Sequence, residues 1–135
     1  MNISDDKILE YIKASGENAY LVGGYIRDLF LGKNTYDRDI AIKNAEKFSK
    51  RLANDLNGTF IVLDEENKIY RVVLEDKINY LDISEIVGNS IEEDLLRRDF
   101  TINAIAYDIQ NNKYIDVTNG LEDLKQHKIR TCNTK

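Results

Sequence analysis

Residues 59 to 83 place the tightest limit on what this chain can fold into. They hold three apolar segments, Thr59 to Leu63, Lys68 to Leu74 and Asn79 to Ile83, separated only by polar turns at Asp64 to Asn67 and Glu75 to Lys77. Runs of this length, rich in β-branched and aromatic residues and bounded by Asp, Asn and Lys, read as strands. At least three strands thus follow one another in sequence. Around them the spacing predicts helices over Asp5 to Lys13, with Ser4 as N-cap and Gly16 as the stop, and over Ala45 to Leu56, closed by Asn57-Gly58. Tyr20 to Val22 and Asp39 to Ile42 read as strands, and Tyr25 to Leu31 as a helix ended by Gly32. Ser90 caps a helix through Arg98 that continues over Thr101 to Ala106 with a break near Asp99. Tyr107 to Ile109 and Tyr114 to Asp116 form a hairpin around Asn111-Asn112, and Leu121 to Gln126 is a short helix. The expected class is α+β, a mixed or antiparallel sheet with helices packed on it and not a repeated βαβ array.

The length, 135 residues, fits one domain with a proper core. No apolar segment approaches the roughly 20 residues of a membrane span, and the charged N-terminus MNISDDKILEYIK is not a signal peptide. Cys132 is the only cysteine, which makes a reducing cytoplasm the default, and His127 is the only histidine. Zinc sites and histidine triads lack raw material. A metal site must be built from carboxylates, which suits magnesium, manganese or calcium. The net charge of −5 weighs against tight nucleic-acid binding by this chain alone.

The chemistry-bearing residues fall in two dense stretches. The first, YLVGGYIRDLFLGKNTYDRDIAI, sets Gly23-Gly24 between a strand and a helix and Asp37-x-Asp39 at the start of the next strand. Two carboxylates at that spacing share a strand face if Asp37 is already extended. They are either a solvated surface pair or the ligands of a cation pair in phosphoryl transfer. The glycines are either a tight turn or a place where backbone N–H groups approach a phosphate at a helix N-terminus. Asp82, flanked by Leu81 and Ile83, either lies on an open sheet face or joins Asp37 and Asp39 as the general base for an attacking hydroxyl. In the second stretch, EEDLLRRDFTINAIAYD, Arg97, Arg98, Asp99 and Asn103 crowd against an apolar face. One reading is a helix with i,i+4 pairs Glu93–Arg97 and Asp94–Arg98. The other is a nucleotide clamp, arginine on phosphate and Asp99 or Asn103 on the ribose.

Together these stretches resemble the class II tRNA nucleotidyltransferase and bacterial poly(A) polymerase family. Its G-G-x-[VI]-R-D helix and following D-x-D match Gly23, Gly24, Arg27, Asp28, Asp37 and Asp39. Its R-R-D-[FL]-T-[IV]-N-[AS] motif matches Arg97 to Ala104, and a motif close to D-P-x-G-G-x-x-D-L appears as DVTNGLEDL, with Val117 where proline is common. The resemblance implies the catalytic head of that family, a DNA polymerase β-like nucleotidyltransferase with a small mixed sheet. It implies that Asp37 and Asp39 bind two magnesium ions and the triphosphate, and that Asp82 is the third sheet carboxylate. Gly23 and Gly24 would lie on the triphosphate. Asp99, Arg97, Arg98 and Asn103 would read the ribose, and Arg27 is either a phosphate ligand or half of a structural pair with Asp28. The neck helices with E-D-x-x-R, the body and the tail are not in residues 1 to 135, so a head domain, excised or naturally minimal, is expected.

The implied reaction is attack of an RNA 3′-hydroxyl, of tRNA or a poly(A) tail, on the α-phosphate of ATP or CTP. RNA would bind only weakly to this domain alone. Two rivals remain open at this point: a minimal nucleotidyltransferase that modifies a protein or small molecule with AMP, and a nucleotide-binding module without catalysis.

Overall fold

The computed structural model describes residues 7–23, 37–97 and 105–117. Its elements, in chain order, are α1 (Lys7–Ala14), β1 (Tyr20–Val22), β2 (Asp37–Ile42), α2 (Ala45–Asp55), β3 (Thr59–Asp64), β4 (Ile69–Val73), β5 (Tyr80–Glu85), α3 (Ile91–Leu96), β6 (Ile105–Asp108) and β7 (Lys113–Asp116). The seven strands form one sheet in the order β3-β4-β5-β2-β1-β6-β7. β2 and β5 run parallel, and the other neighbours are antiparallel. The sheet is therefore mixed, the first of the two arrangements expected. The β2–β5 pair is closed by a crossover that carries α2, β3 and β4.

Local chemistry explains the turns. Asp64 accepts from the Asn67 backbone N–H at 3.0 Å and its amide at 2.8 Å, which closes the β3–β4 hairpin. Between β4 and β5, Asp76 accepts from the Ile78 N–H at 2.8 Å, the Asn79 N–H at 2.9 Å and the Asn79 amide. Backbone donors from Asn79 and Ile78, then the Asn79 side chain, hold the Asp76 carboxyl below its usual range. In the β6–β7 hairpin Asp108 accepts from the backbone N–H groups of Gln110 and Asn111 and from the Asn111 amide. Beyond the Leu56 C-cap of α2, Asn57 with a φ of 53° supplies the left-handed residue, while the Gly58 N–H bonds back to Ala53 O at 2.8 Å. Its N-terminus is capped from another element. Asn44 makes no side-chain cap, and the Glu85 carboxylate accepts from the N–H groups of Asn44 (3.1 Å) and Ala45 (2.9 Å).

Alternation along the strands builds two cores. Leu21, Ile40, Ile42, Leu81 and Ile83 face α1 and α2, packing against Ile12, Phe48 and Leu52. The opposite face carries Val22, Ala41 and Ala106, covered by Ile91 and Leu95 of α3. β3 is an edge strand with Ile61, Val62 and Leu63 exposed. No helix among the described residues is long and apolar enough to cross a membrane.

Several expectations shift. β2 begins at Asp37, two residues earlier than the apolar run suggests, because the chain is already paired to Tyr80 there. Residues 105 and 106 are strand, not the end of a helix, since Ala106 pairs with both Val22 and Ile115. The helical pattern arises because α3 and β6 contribute apolar residues to one core. α3 stops at Leu96, and Ser90 caps it by accepting from the Glu93 N–H at 3.2 Å. Glu93 turns back to the Asn89 N–H instead of forward to Arg97. Arg97 lies 3.6 Å from Asp94, an i,i+3 pair, and the buried Asp94 also accepts from the Val87 N–H at 2.8 Å. The readings for Ser4, the helix over 25–31, Arg98 and residues 121–126 lie outside the described residues.

Two outcomes follow from the caps. Glu85→Ala removes a charge-assisted cap at the positive end of α2 and should cost about 1 kcal/mol in urea unfolding. Asp76→Ala should lower the melting temperature at pH 7. The carboxyl's folded pKa is depressed, so its contribution is present above the unfolded value of about 3.9 and is lost as pH falls through the folded value. The gap between variant and unsubstituted chain should therefore close in melts taken well below pH 4.

Candidate active site

The sheet register assembles one transverse row of side chains from all seven strands. It runs Ile61, Arg71, Asp82, Asp39, Val22, Ala106, Ile115 from β3 to β7. Residues in such a row share a face. The Val22–Ala106–Ile115 end is apolar and packs into the core under α3. The Arg71–Asp82–Asp39 end is charged and half-buried, and Ile40, Leu81 and Ile83 point to the other side. Strand alternation thus carries Asp82 out of the apolar core and sets it beside Asp39.

Asp37 is the first residue of β2, in register with Tyr80 and at the same parity as Asp39. The chain is thus already extended at Asp37, the condition set for the pair. Asp82 does not stand alone on an open face. Arg71 Nε donates to its Oδ1 at 2.7 Å and Arg71 Nη2 to its Oδ2 at 3.0 Å. The guanidinium carbon lies 4.4 Å from the centroid of the Tyr80 ring. A bidentate guanidinium–carboxylate pair is among the strongest polar contacts available, and the aromatic face adds a cation–π term.

Gly23, the residue that follows β1, packs against the row. Its φ is +73°, and a Cβ added there would come 2.7 Å from Asp39 Oδ2. Glycine is needed twice over, for the left-handed backbone and for the space taken by the carboxylate. The turn expected at Gly23 is therefore real, and it abuts the D-x-D strand directly.

Among the described residues no group of three or more His, Cys, Asp or Glu side chains is arranged to hold a metal. The donor chemistry nevertheless fits a hard divalent cation. Asp39 and Asp82 are neighbouring carboxylates in one row, and no imidazole or thiolate takes part in that row. Arg97 is half-exposed at the C-terminal end of α3. Gly24, Arg27, Asp28, Arg98, Asp99 and Asn103 lie outside the described residues.

Sequence reasoning missed Arg71 and Tyr80. The signal was present: Arg71 interrupts the apolar segment IYRVV, between the buried Tyr70 and Val72, so it must face the side opposite the core. Counting back across the β4–β5 hairpin puts it opposite Asp82.

Gly23→Ala should test the shared space. A non-glycine residue in the left-handed region costs about 1–2 kcal/mol, and the Asp39 carboxylate must also move. The expected result is a lower urea midpoint, with the backbone shift perturbations in NMR concentrated on β1 and the start of β2.

The model of the poly A polymerase head domain family matches residues 19–130. The CCA-adding enzyme of Streptococcus sanguinis (strain SK36) is 41% identical over 138 residues, covering 94% of this chain and 34% of that protein. The CC-adding tRNA nucleotidyltransferase of Geobacter sulfurreducens is 34% identical, covering 96% of this chain and 33% of that protein. A solved CCA-adding enzyme in complex with CTP superposes with a TM-score of 0.83 at 31% identity, over 96% of this chain and 34% of the other. The chain thus spans about a third of the length of the relatives it matches. A family match over most of the sequence, carried by a sheet that brings its glycine turn and acidic strand together, leads to one conclusion: this chain belongs to the poly A polymerase head domain family.

Proposed function

We propose that residues 1–135 form the nucleotidyl-transfer head of a template-independent RNA nucleotidyltransferase, acting in the cytoplasm on the 3′ end of tRNA. The observation that carries this reading is Asp39 beside Asp82 across the parallel β2–β5 pair, with Gly23 packed against Asp39. Relatives named for CCA and CC addition support the substrate class. ATP and CTP are the proposed nucleotides, and the solved relative bound to CTP supports one of them.

In the proposed reaction the 3′-oxygen of the RNA bonds to the α-phosphorus, the bond from that phosphorus to the β-phosphate oxygen breaks, and pyrophosphate leaves. Asp82 accepts the proton of the attacking hydroxyl. Gly23 and Gly24 let the backbone approach the triphosphate, and Arg27, Arg97 and Arg98 offset its charge. Asp99 and Asn103 hold the ribose hydroxyls. Asp37 and Asp39 would hold magnesium, two ions being the usual number for such transfer. When bound there, the metal neutralises the triphosphate and lowers the pKa of the attacking hydroxyl. With a net charge of −5, the domain is proposed to grip RNA weakly by itself.

Thermal melts with CTP, with and without magnesium, test the reading. A hundredfold excess over Kd stabilises a native state by about 2.7 kcal/mol. The unsubstituted chain should gain stability only when both are present, and Asp37→Asn with Asp39→Asn should abolish that gain while its circular dichroism stays native. An equal gain in the double variant would sink the metal assignment. Radiolabelled CMP recovered on a protein or small molecule, and not on tRNA lacking its 3′ end, would reassign the acceptor.

A further inference from the structure

We propose that Arg71 is a positioning residue for this transfer, one that aims the Asp82 carboxylate and sets how strongly the neighbouring acidic pair attracts a cation. The inference rests on the reading of Asp82 as the proton acceptor. Three observations carry it. First, the guanidinium grips both oxygens of Asp82, at 2.7 and 3.0 Å, so the plane of the carboxylate is set by a rigid fork. Each oxygen retains a further lone pair, so the grip leaves Asp82 able to accept a proton. Second, Arg71 is itself braced. Its guanidinium lies over the Tyr80 ring, and its flanking residues Tyr70 and Val72 are buried on the other face of β4. Third, the row Arg71–Asp82–Asp39 sets one cation beside two carboxylates on three consecutive strands of the sheet.

These facts separate two effects of one side chain. The fork fixes direction, and only a planar, two-pronged donor supplies it. The charge offsets the carboxylate pair, and any cationic side chain supplies that. Loss of the charge should therefore make the pair a stronger cation trap, while loss of the fork leaves the Asp82 carboxylate misaimed at the hydroxyl. A residue that merely held the sheet together would weaken both properties.

The test uses Mn2+ as the probe, with CTP and a tRNA lacking its 3′ end, on the full chain and on Arg71→Lys and Arg71→Gln. Arg71→Gln should bind Mn2+ about three- to tenfold more tightly, by electron paramagnetic resonance titration, because a nearby positive charge is gone. Arg71→Lys should bind Mn2+ as the unsubstituted chain does. Both should slow single-turnover extension, by up to about 100-fold, with little change in the KM for CTP. In an Asp82→Asn background, Arg71→Gln should slow extension no further. Weaker or unchanged Mn2+ binding in Arg71→Gln overturns the inference, as does full-rate extension by either variant. If Arg71→Gln unfolds, Arg71→Lys decides: its inference fails when extension is not slowed. An unsubstituted chain that binds Mn2+ but extends no tRNA leaves the Mn2+ comparison to decide alone. An unsubstituted chain that binds neither Mn2+ nor CTP overturns the transfer reading itself, a result distinct from failure of Arg71.

Discussion

The in-register parallel pairing of β2 with β5 puts Asp39 beside Asp82, and side chains on neighbouring strands start only about 4.8 Å apart. Two unit charges at that separation repel by about 3 kcal/mol at an effective dielectric near 20. A sheet that keeps such a pair must offset it. Here the β3–β4–β5 meander does so, because it brings Arg71 into the same row on the next strand. The crossover between β2 and β5 has a second task. α2 within it packs Phe48 and Leu52 onto the apolar face and so pins the two acidic strands from behind. Glu85, at the end of β5, caps α2 and ties that helix to the strand that carries Asp82.

The sheet thus has a structural face and a divided one. On the divided face the apolar half lies under α3 and the charged half does not, among the described residues. The boundary falls between Asp39 and Val22, which are register partners. A carboxylate placed there is desolvated on one side and open on the other. That asymmetry suits a group that must bind a charged ligand without being buried unpaired. Asp94, by contrast, is an acidic residue that is truly buried, and it is spent on the loop before α3, where it holds the Val87 N–H.

Much of this was legible in the residues. The alternation of Leu81, Asp82 and Ile83 already put the acid and the core on opposite faces. The polar turns forecast the hairpins, and the spacing of Phe48, Leu52 and Leu56 forecast α2. GG…RD, D-x-D and RRDFTINA identified the family before any geometry was known. What stayed hidden was non-local. No local pattern tells β2 to pair parallel with β5, since that partner lies some forty residues away and is reached through another hairpin. The cap on α2 stayed hidden for the same reason: it comes from Glu85, on a strand some forty residues away. Ile105 and Ala106 read as helix because a buried strand and a buried helix both appear as apolar runs, and only pairing to β1 and β7 distinguishes them.

Gly23, in the turn after β1, and Asp39, on β2, divide a single small volume. An added Cβ at 23 would collide with Asp39 Oδ2 but would sit 3.6 Å from Asp39 Cβ, an ordinary contact. Substitutions at the two positions are therefore not independent. With alanine at 39 the steric part of the penalty at 23 disappears, and only the cost of the left-handed backbone remains. As long as an acid is kept at 39, a side chain at 23 obliges that carboxylate to turn away from its present position. The torsion angle at 23 disfavours a side chain whatever its neighbour does, and the Asp39 carboxylate adds to that only as long as it keeps its present rotamer.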